Sequence, residues 1–211
     1  MNTLMEPLAD LAGGSALLAF LVFVRVGAAM ALLPAFGEQS IPRTVRLVIA
    51  IMFTLIVFPA VTPAATPAAT PTGTAGFLAA MLAETVTGLM LGAVLRMFVL
   101  ALQTAGILAA QSVSLAQMFA GFGSEPMPAL SQLFVIGGLA LAVISGLHVS
   151  LAAYLIGSYE VLPLGILPDA VRVQPWALAQ ISATFALAFR LAAPFVIASL
   201  IYNLALGVVN R

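Results

Sequence analysis

Apolar positions run along this chain in five long blocks, separated by short stretches that are polar or rich in Pro and Gly. The first block goes from Leu11 to Leu33, is interrupted by Arg25 and stops at Pro34. About 20 apolar residues suffice for a helix to cross a bilayer, so this block predicts a membrane span. The polar turn Gly37-Glu38-Gln39-Ser40-Ile41-Pro42-Arg43 leads into a second block, Val45 to Val61, which opens with Arg46 and closes around Pro59. Residues 62–75 read TPAATPAATPTGTA. Proline at every fourth position there forbids a regular helix and favours extended backbone, which predicts an exposed loop with no chemistry of its own.

The third block, Gly76 to Phe122, is helical in pattern almost without interruption. A straight helix of that length is roughly 70 Å long at 1.5 Å per residue, about twice the hydrocarbon thickness. A break near Arg96 or Gly106, into two helices or a hairpin, is therefore expected. Residues 121–129, GFGSEPMPA, form the next interruption, followed by an apolar run from Leu130 to Ile156 and the loop SYEVLPLGILPDAVRVQP. The last block, Trp176 to Val209, has Pro194 inside it. The pattern predicts an all-α polytopic membrane protein of long, broken helices and helical hairpins. It is one integral membrane domain over residues 1–211, with about six or seven crossings.

Composition supports that class. The chain is 63% apolar and has 14 charged residues in 211, whereas a soluble domain is about 25% charged. One core cannot hide so much apolar surface, so a water-soluble globule is excluded and membrane lipid is the expected surrounding. Disorder, which requires low hydrophobicity and high charge, is excluded as well. Seven Arg balance five Glu and two Asp, with no Lys and no basic run, which argues against nucleic acid or an anionic surface as the main partner. The absence of Cys excludes disulfides and thiolate metal sites. Glu6 and Asp10 stand where a cleavable signal would be basic. Arg43 and Arg46 flank the first loop and place it in the cytoplasm, with the N-terminus outside.

Charges at membrane depth are costly and face protein or water, so Arg25, Arg96 and Arg190 are candidate functional residues. Arg25 reads either as a snorkelling or carboxylate-paired structural residue or as a pore-lining charge. Glu84 stands one turn before Gly88-x-x-x-Gly92, a spacing that lets another helix approach closely; it reads as a helix or subunit contact or as a proton-relay carboxylate. Gln103, Gly106, Ala110, Ser114 and Gln117 share one helical face, which either packs or lines a wet conduit. Ser199, Asn203, Gly207 and Asn210 form a second stripe, and the Asn203 amide needs partners in lipid, so that face is expected to be buried in protein. His148, the only histidine, has neither Cys nor a carboxylate at helical spacing and reads as a hydrogen-bonded structural residue rather than a metal ligand. No nucleophile elbow, P-loop or catalytic carboxylate pair is present. No enzyme activity, cofactor or metal is expected.

The stretch RVGAAMALLPAFGEQSIPRTVRLVIAIMFTLIVFP (25–59) resembles the first helical hairpin of the FliR family of flagellar export-gate proteins. Glu84 with Gly88 and Gly92 is similar to that family's E-x-x-x-G-x-x-x-G helix, and Ala105-Gly106 with Gln111 to the segment after it. Gly146-Leu-His148 and Ser158-Tyr159-Glu160-Val-Leu-Pro163-Leu-Gly165 resemble its G-x-H…S-Y-x-x-L-P-x-G signature. Pro194 and Asn203-Leu-Ala-Leu-Gly207-Val-Val-Asn210-Arg211 resemble its P…N-L-A-L-G-x-x-N-R helix. Together these cover about nine-tenths of the chain, in order. Two departures stand out. Family members continue past the Asn-Arg pair with another apolar stretch, so the resemblance implies that a C-terminal element is lacking here. Ala120-Gly121 also stands where an Asp-Pro dipeptide is common.

The resemblance implies a non-enzymatic subunit of the flagellar type III export gate, in the bacterial inner membrane at the flagellar basal body. FliP-like and FliQ-like gate subunits and FlhB-like and FlhA-like export components are the implied partners, with unfolded flagellar proteins as the passing cargo. It also implies that helices need not follow conventional topology, because much of such a gate is raised above the bilayer. The 114–128 loop, SLAQMFAGFGSEPMP, resembles the family's plug loop, in which Met118, Phe119, Phe122 and Met127 would supply flexible apolar groups around a passing peptide. The alternatives are a small secondary transporter, coupled through Arg25, Glu84, Arg96, His148 and Arg190, and the homologous gate subunit of a virulence secretion system.

Overall fold

A computed structural model of the chain describes residues 5–33, 42–61, 73–113 and 129–209, with side chains from Gly14 onward apart from those of Val113 and Leu206. These residues form six helices: α1 (Met5–Leu32), α2 (Arg43–Val61), α3 (Gly73–Val113), α4 (Ala129–Ile144), α5 (Leu147–Val161) and α6 (Ala170–Val209). No strand occurs among them. The 114–128 loop lies outside the described residues, as does the stretch 62–72. The loop expected over 62–75 ends earlier than its last three residues: Gly73 opens α3 at a φ of 74°. Pro71 is the last proline before this helix, so helical backbone is free to start there.

The expected break in the third block does not occur: α3 is one continuous helix of 41 residues. No proline falls within it, and Gly88, Gly92 and Gly106, which would weaken an exposed helix, are each pressed against a neighbouring helix. The last block is likewise one helix of 40 residues, in which neither Pro175 nor Pro194 ends the run. The run expected from Leu130 to Ile156 is broken instead, at Ser145-Gly146, where Gly146 takes a left-handed φ of 87°. Among the described residues four helices are long and apolar enough to cross a membrane, or five if α4 and α5 count as one broken span. The described residues thus supply fewer candidate spans than the six or seven crossings expected, because hydropathy alone divides a long helix by bilayer thickness and takes no account of what packs along it.

The chain divides into two compact units. The first comprises Met1–Leu95 and Gly146–Val173. In α1, Leu21, Val22, Arg25, Val26, Ala29 and Met30 are buried and recur at the spacing of one helix face. The apolar ones among them meet Ala50, Phe53 and Val57 of α2 and Leu151, Leu155 and Tyr159 of α5 in one core. The opposite face of α2, with Leu47, Val48, Ile51, Met52, Leu55 and Ile56, is apolar and exposed, the arrangement expected of a helix whose outer face meets lipid or protein.

The second unit comprises Arg96–Ser145 and Gln174–Arg211. Its contacts are made through small residues. Gly106 of α3 lies directly on the Ser131 backbone of α4, and Gly138 lies on the Leu102 side chain, 2.5 Å from where a Cβ would stand. The Ser131 hydroxyl donates to the Gln103 carbonyl at 3.1 Å, and the Ser199 hydroxyl of α6 donates to the Ser112 carbonyl of α3. Phe134 and Phe195 pack edge to face at 5.6 Å.

Candidate functional site

Arg25 of α1 and Glu84 of α3 are both fully buried in the first unit. A guanidinium has five N–H donors, and here they make five hydrogen bonds. Nε donates to Glu84 Oε2 at 2.7 Å, and Nη2 donates to Glu84 Oε1 at 3.0 Å, a two-pronged pair. Nη1 donates to Ser158 Oγ at 3.2 Å. Both Nη1 and Nη2 donate to the Leu162 carbonyl, each at 3.0 Å. Glu84 Oε1 accepts a further bond from the Gly165 backbone N–H at 2.8 Å. The Tyr159 ring closes the cluster, with the guanidinium carbon 3.8 Å from its centroid, a cation–π contact strengthened by desolvation.

Local sequence accounts for each partner. α5 ends at Val161, and Leu162 closes it by donating its N–H to the Ser158 carbonyl. The carbonyls of the last turn have no helical partner, which leaves the Leu162 carbonyl free for Arg25. Pro163 cannot continue the helix. Gly165 then adopts a φ of 76° and aims its N–H at Glu84. The pair thus fastens α1, α3, the end of α5 and the turn after it to one point. The Arg25 and Glu84 side chains have no exposed atom, and every bond they make joins parts of this unit to one another. Two nearby hydroxyls, Thr87 one turn along α3 and Tyr159, are buried without a hydrogen-bond partner among the described residues.

Close approach of α3 to α1 makes the pair reachable. At Gly88 a Cβ would overlap the Arg25 carbonyl oxygen and stand 2.8 Å from the Ala28 Cβ. At Gly92 it would stand 2.5 Å from the Ala29 carbonyl oxygen and 3.1 Å from the Leu32 Cβ.

The remaining candidates lie elsewhere. Arg96 and Arg190 are exposed, both in the second unit. Asn203 and Gly207 are exposed on α6; the Asn203 amide donates to the Ser199 carbonyl at 2.9 Å and to Ser199 Oγ at 3.2 Å. His148, expected to be hydrogen-bonded, is exposed in the first turn of α5, and its imidazole makes no hydrogen bond to a described residue. Met118, Phe119, Phe122, Met127 and Asn210 lie outside the described residues. Among the described residues no three His, Cys, Asp or Glu side chains cluster as a metal site.

Reading the residues singly missed Ser158, Tyr159, Leu162 and Gly165 as members of the cluster. Their signal was the S-Y-x-x-L-P-x-G string, in which a helix end, a proline and a glycine follow within eight residues.

Gly165→Ala tests the turn. The added Cβ would meet the Ala80 Cβ at an ordinary 3.6 Å, so the cost is in the backbone alone, about 1–2 kcal/mol for a side chain in the left-handed region. Thermal unfolding in detergent is expected to show Tm lowered by several degrees, and less for Gly165→Asn, which tolerates that conformation better.

Residues 16–211 match the family described as bacterial export proteins, family 1. Over 195 residues the chain is 34% identical to the flagellar biosynthetic protein FliR of Caulobacter vibrioides, covering 92% of this chain and 77% of that one.

Proposed function

The chain belongs to bacterial export proteins family 1, the family of FliR, and from that premise we propose that it is a non-enzymatic subunit of the flagellar type III export gate. It is a membrane protein of flagellar biogenesis and protein export. The proposal adds that it sits in the inner membrane at the basal body and packs against FliP-like and FliQ-like helices. It meets FlhB-like and FlhA-like components and forms part of the channel for unfolded flagellar proteins. In this reading Met118, Phe119, Phe122 and Met127 supply the flexible apolar lining that closes around a passing chain, and the exposed Asn203 and Gly207 of α6 face a neighbouring subunit.

The observation that carries the reading is the family match itself, which runs unbroken from residue 16 to residue 211 and includes every member of the Arg25–Glu84 cluster. The exposed apolar length of α6, in which only Ala188 and Ala192 are buried among the described side chains, supports a subunit rather than a self-contained bundle. Of the five residues through which a secondary transporter would couple, Arg25, Glu84, Arg96, His148 and Arg190, the first two are committed to each other with no exposed side-chain atom, so the geometry favours the gate reading. The test is motility in a flagellated strain deleted for its own family member. Expression of this chain is expected to restore swimming and to bring gate subunits down with it in mild detergent. A monodisperse monomer under co-expression, with no swimming, would refute the proposal.

A further inference from the structure

Arg190 occupies the middle of α6, a helix of 40 residues, and is exposed there. Its surroundings are apolar: Phe185, Phe189, Val196 and Ile197 are exposed on the adjoining turns. About 20 residues, or roughly 30 Å of helix at 1.5 Å per residue, extend on either side. A guanidinium side chain is too short to cover that distance and reach water past the apolar turns. The same turn carries a second unmet polar group. Pro194 has no N–H, so the Arg190 carbonyl lacks the donor it would have in an uninterrupted helix.

Among the described residues of the second unit nothing neutralises this charge. Its described residues contain two arginines, Arg96 and Arg190, and no Asp or Glu. Neither arginine makes an ion pair with a described residue. Elsewhere Glu84 is committed to Arg25 and Asp169 faces Arg172 at 3.9 Å, while Glu160 stands one residue from the end of α5. Among the described side chains a second copy would therefore bring no free carboxylate in the middle of an apolar helix.

The helix face around Arg190 is shaped for close approach. On the same side, Ala186 and Ala183 stand one and two turns before Arg190 and Ala193 and Pro194 one turn after it, ahead of Ile197; the alanines are small side chains of the kind that let membrane helices approach closely. A charge at membrane depth is costly unless it meets protein or water, and a partner's carboxylate would remove that cost.

We propose that the Arg190 face of α6 is a docking surface for an apolar helix of a different chain, one that carries an Asp or Glu at the depth of Arg190. This rests on the export-gate reading, since that reading supplies other membrane subunits for α6 to meet. The two are separable by experiment. The full chain, tagged and co-expressed with the other gate subunits of its own bacterium, is purified in mild detergent as wild type, Arg190→Lys, Arg190→Gln and Arg190→Glu.

Arg190→Glu is expected to lower the recovered partner at least about tenfold, as loss of one member of a buried charge pair does. Arg190→Gln should lower it less and Arg190→Lys least. Arg190 is exposed, so the Tm of the chain purified alone should stay within about 1–2 °C of wild type. Changing the Asp and Glu residues of the partners' apolar helices to Arg, one at a time in the Arg190→Glu background, should restore recovery at one position.

Recovery unchanged by Arg190→Glu, with or without loss of motility, overturns the docking surface and leaves the gate reading intact. So does loss of partner that no reversed charge restores, or that accompanies an equal fall in the chain's own Tm. Wild-type chain that recovers no gate subunit overturns the gate reading, and the docking surface falls with it.

Discussion

Glu84→Ala is expected to destabilise the first unit by about 3–5 kcal/mol, the cost of leaving a buried charge without its partner. The Arg25 guanidinium would keep its bonds to Ser158 and Leu162 but would lose both prongs of the carboxylate, in a site with no exposed atom. The Gly165 N–H would lose its acceptor at the same time. Since whole domains are stable by only about 5–15 kcal/mol, most of the chain should fail to accumulate in the membrane. Measured by steady-state level and by thermal unfolding in detergent, the effect should far exceed that of Gly165→Ala. A double replacement, Arg25→Met with Glu84→Leu, should recover much of the loss, because removing a buried pair together spares the penalty of an unpaired charge. Equal Tm for Glu84→Ala and wild type would show that the pair does not hold this unit together.

Arg25 and Glu84 are both legible in the sequence as charges inside apolar blocks. Their pairing is not. They lie 59 residues apart, and helical periodicity tells which face a residue is on without telling which helix that face meets. The third party is further still: Leu162 is 137 residues from Arg25 and contributes a backbone carbonyl, a group every residue has and no sequence pattern marks. Gly165 is partly legible, since a glycine soon after a proline at a helix end suggests left-handed backbone, but what its N–H would bond depends on where α3 lies.

The fold divides in the same way. Periodicity and hydropathy are local properties: they mark five apolar blocks, while the division of the run from Leu130 to Ile156 into α4 and α5 and the start of α6 at Ala170, ahead of Pro175, are not read from them. The continuity of α3 is not local. Its length exceeds a bilayer, and Gly106, with Arg96 one of the two expected break points, is instead pressed against Ser131 of α4. A glycine chosen for close approach and a glycine that ends a helix look the same until the neighbour is known.

The contact between α1 and α3 supplies the second large effect, and its sign is opposite to what helix propensity alone would give. Replacing a helical Gly by Ala ordinarily gains about 1 kcal/mol. At Gly88 the new Cβ would overlap the Arg25 carbonyl oxygen, and at Gly92 it would stand 2.5 Å from that of Ala29. Both obstacles are backbone, which no rotamer change can clear, so α1 must shift away from α3. Overpacking of this kind costs about 1–3 kcal/mol and occasionally more, and Gly88→Ala adds to it by moving the residue that carries the buried guanidinium. A loss of about 3 kcal/mol or more is expected for Gly88→Ala and slightly less for Gly92→Ala, read by thermal unfolding in detergent. Combined with Glu84→Ala, Gly88→Ala should cost less than the sum of the two, because each disturbs the same ion pair. Gly207→Ala is the opposing case. Nothing lies within 4 Å of its Cβ position, so in the purified chain this change should be neutral or stabilising. Destabilisation by Gly207→Ala as large as that by Gly88→Ala would show that flexibility of the backbone, and not the approach of α1, is what glycine provides in these helices.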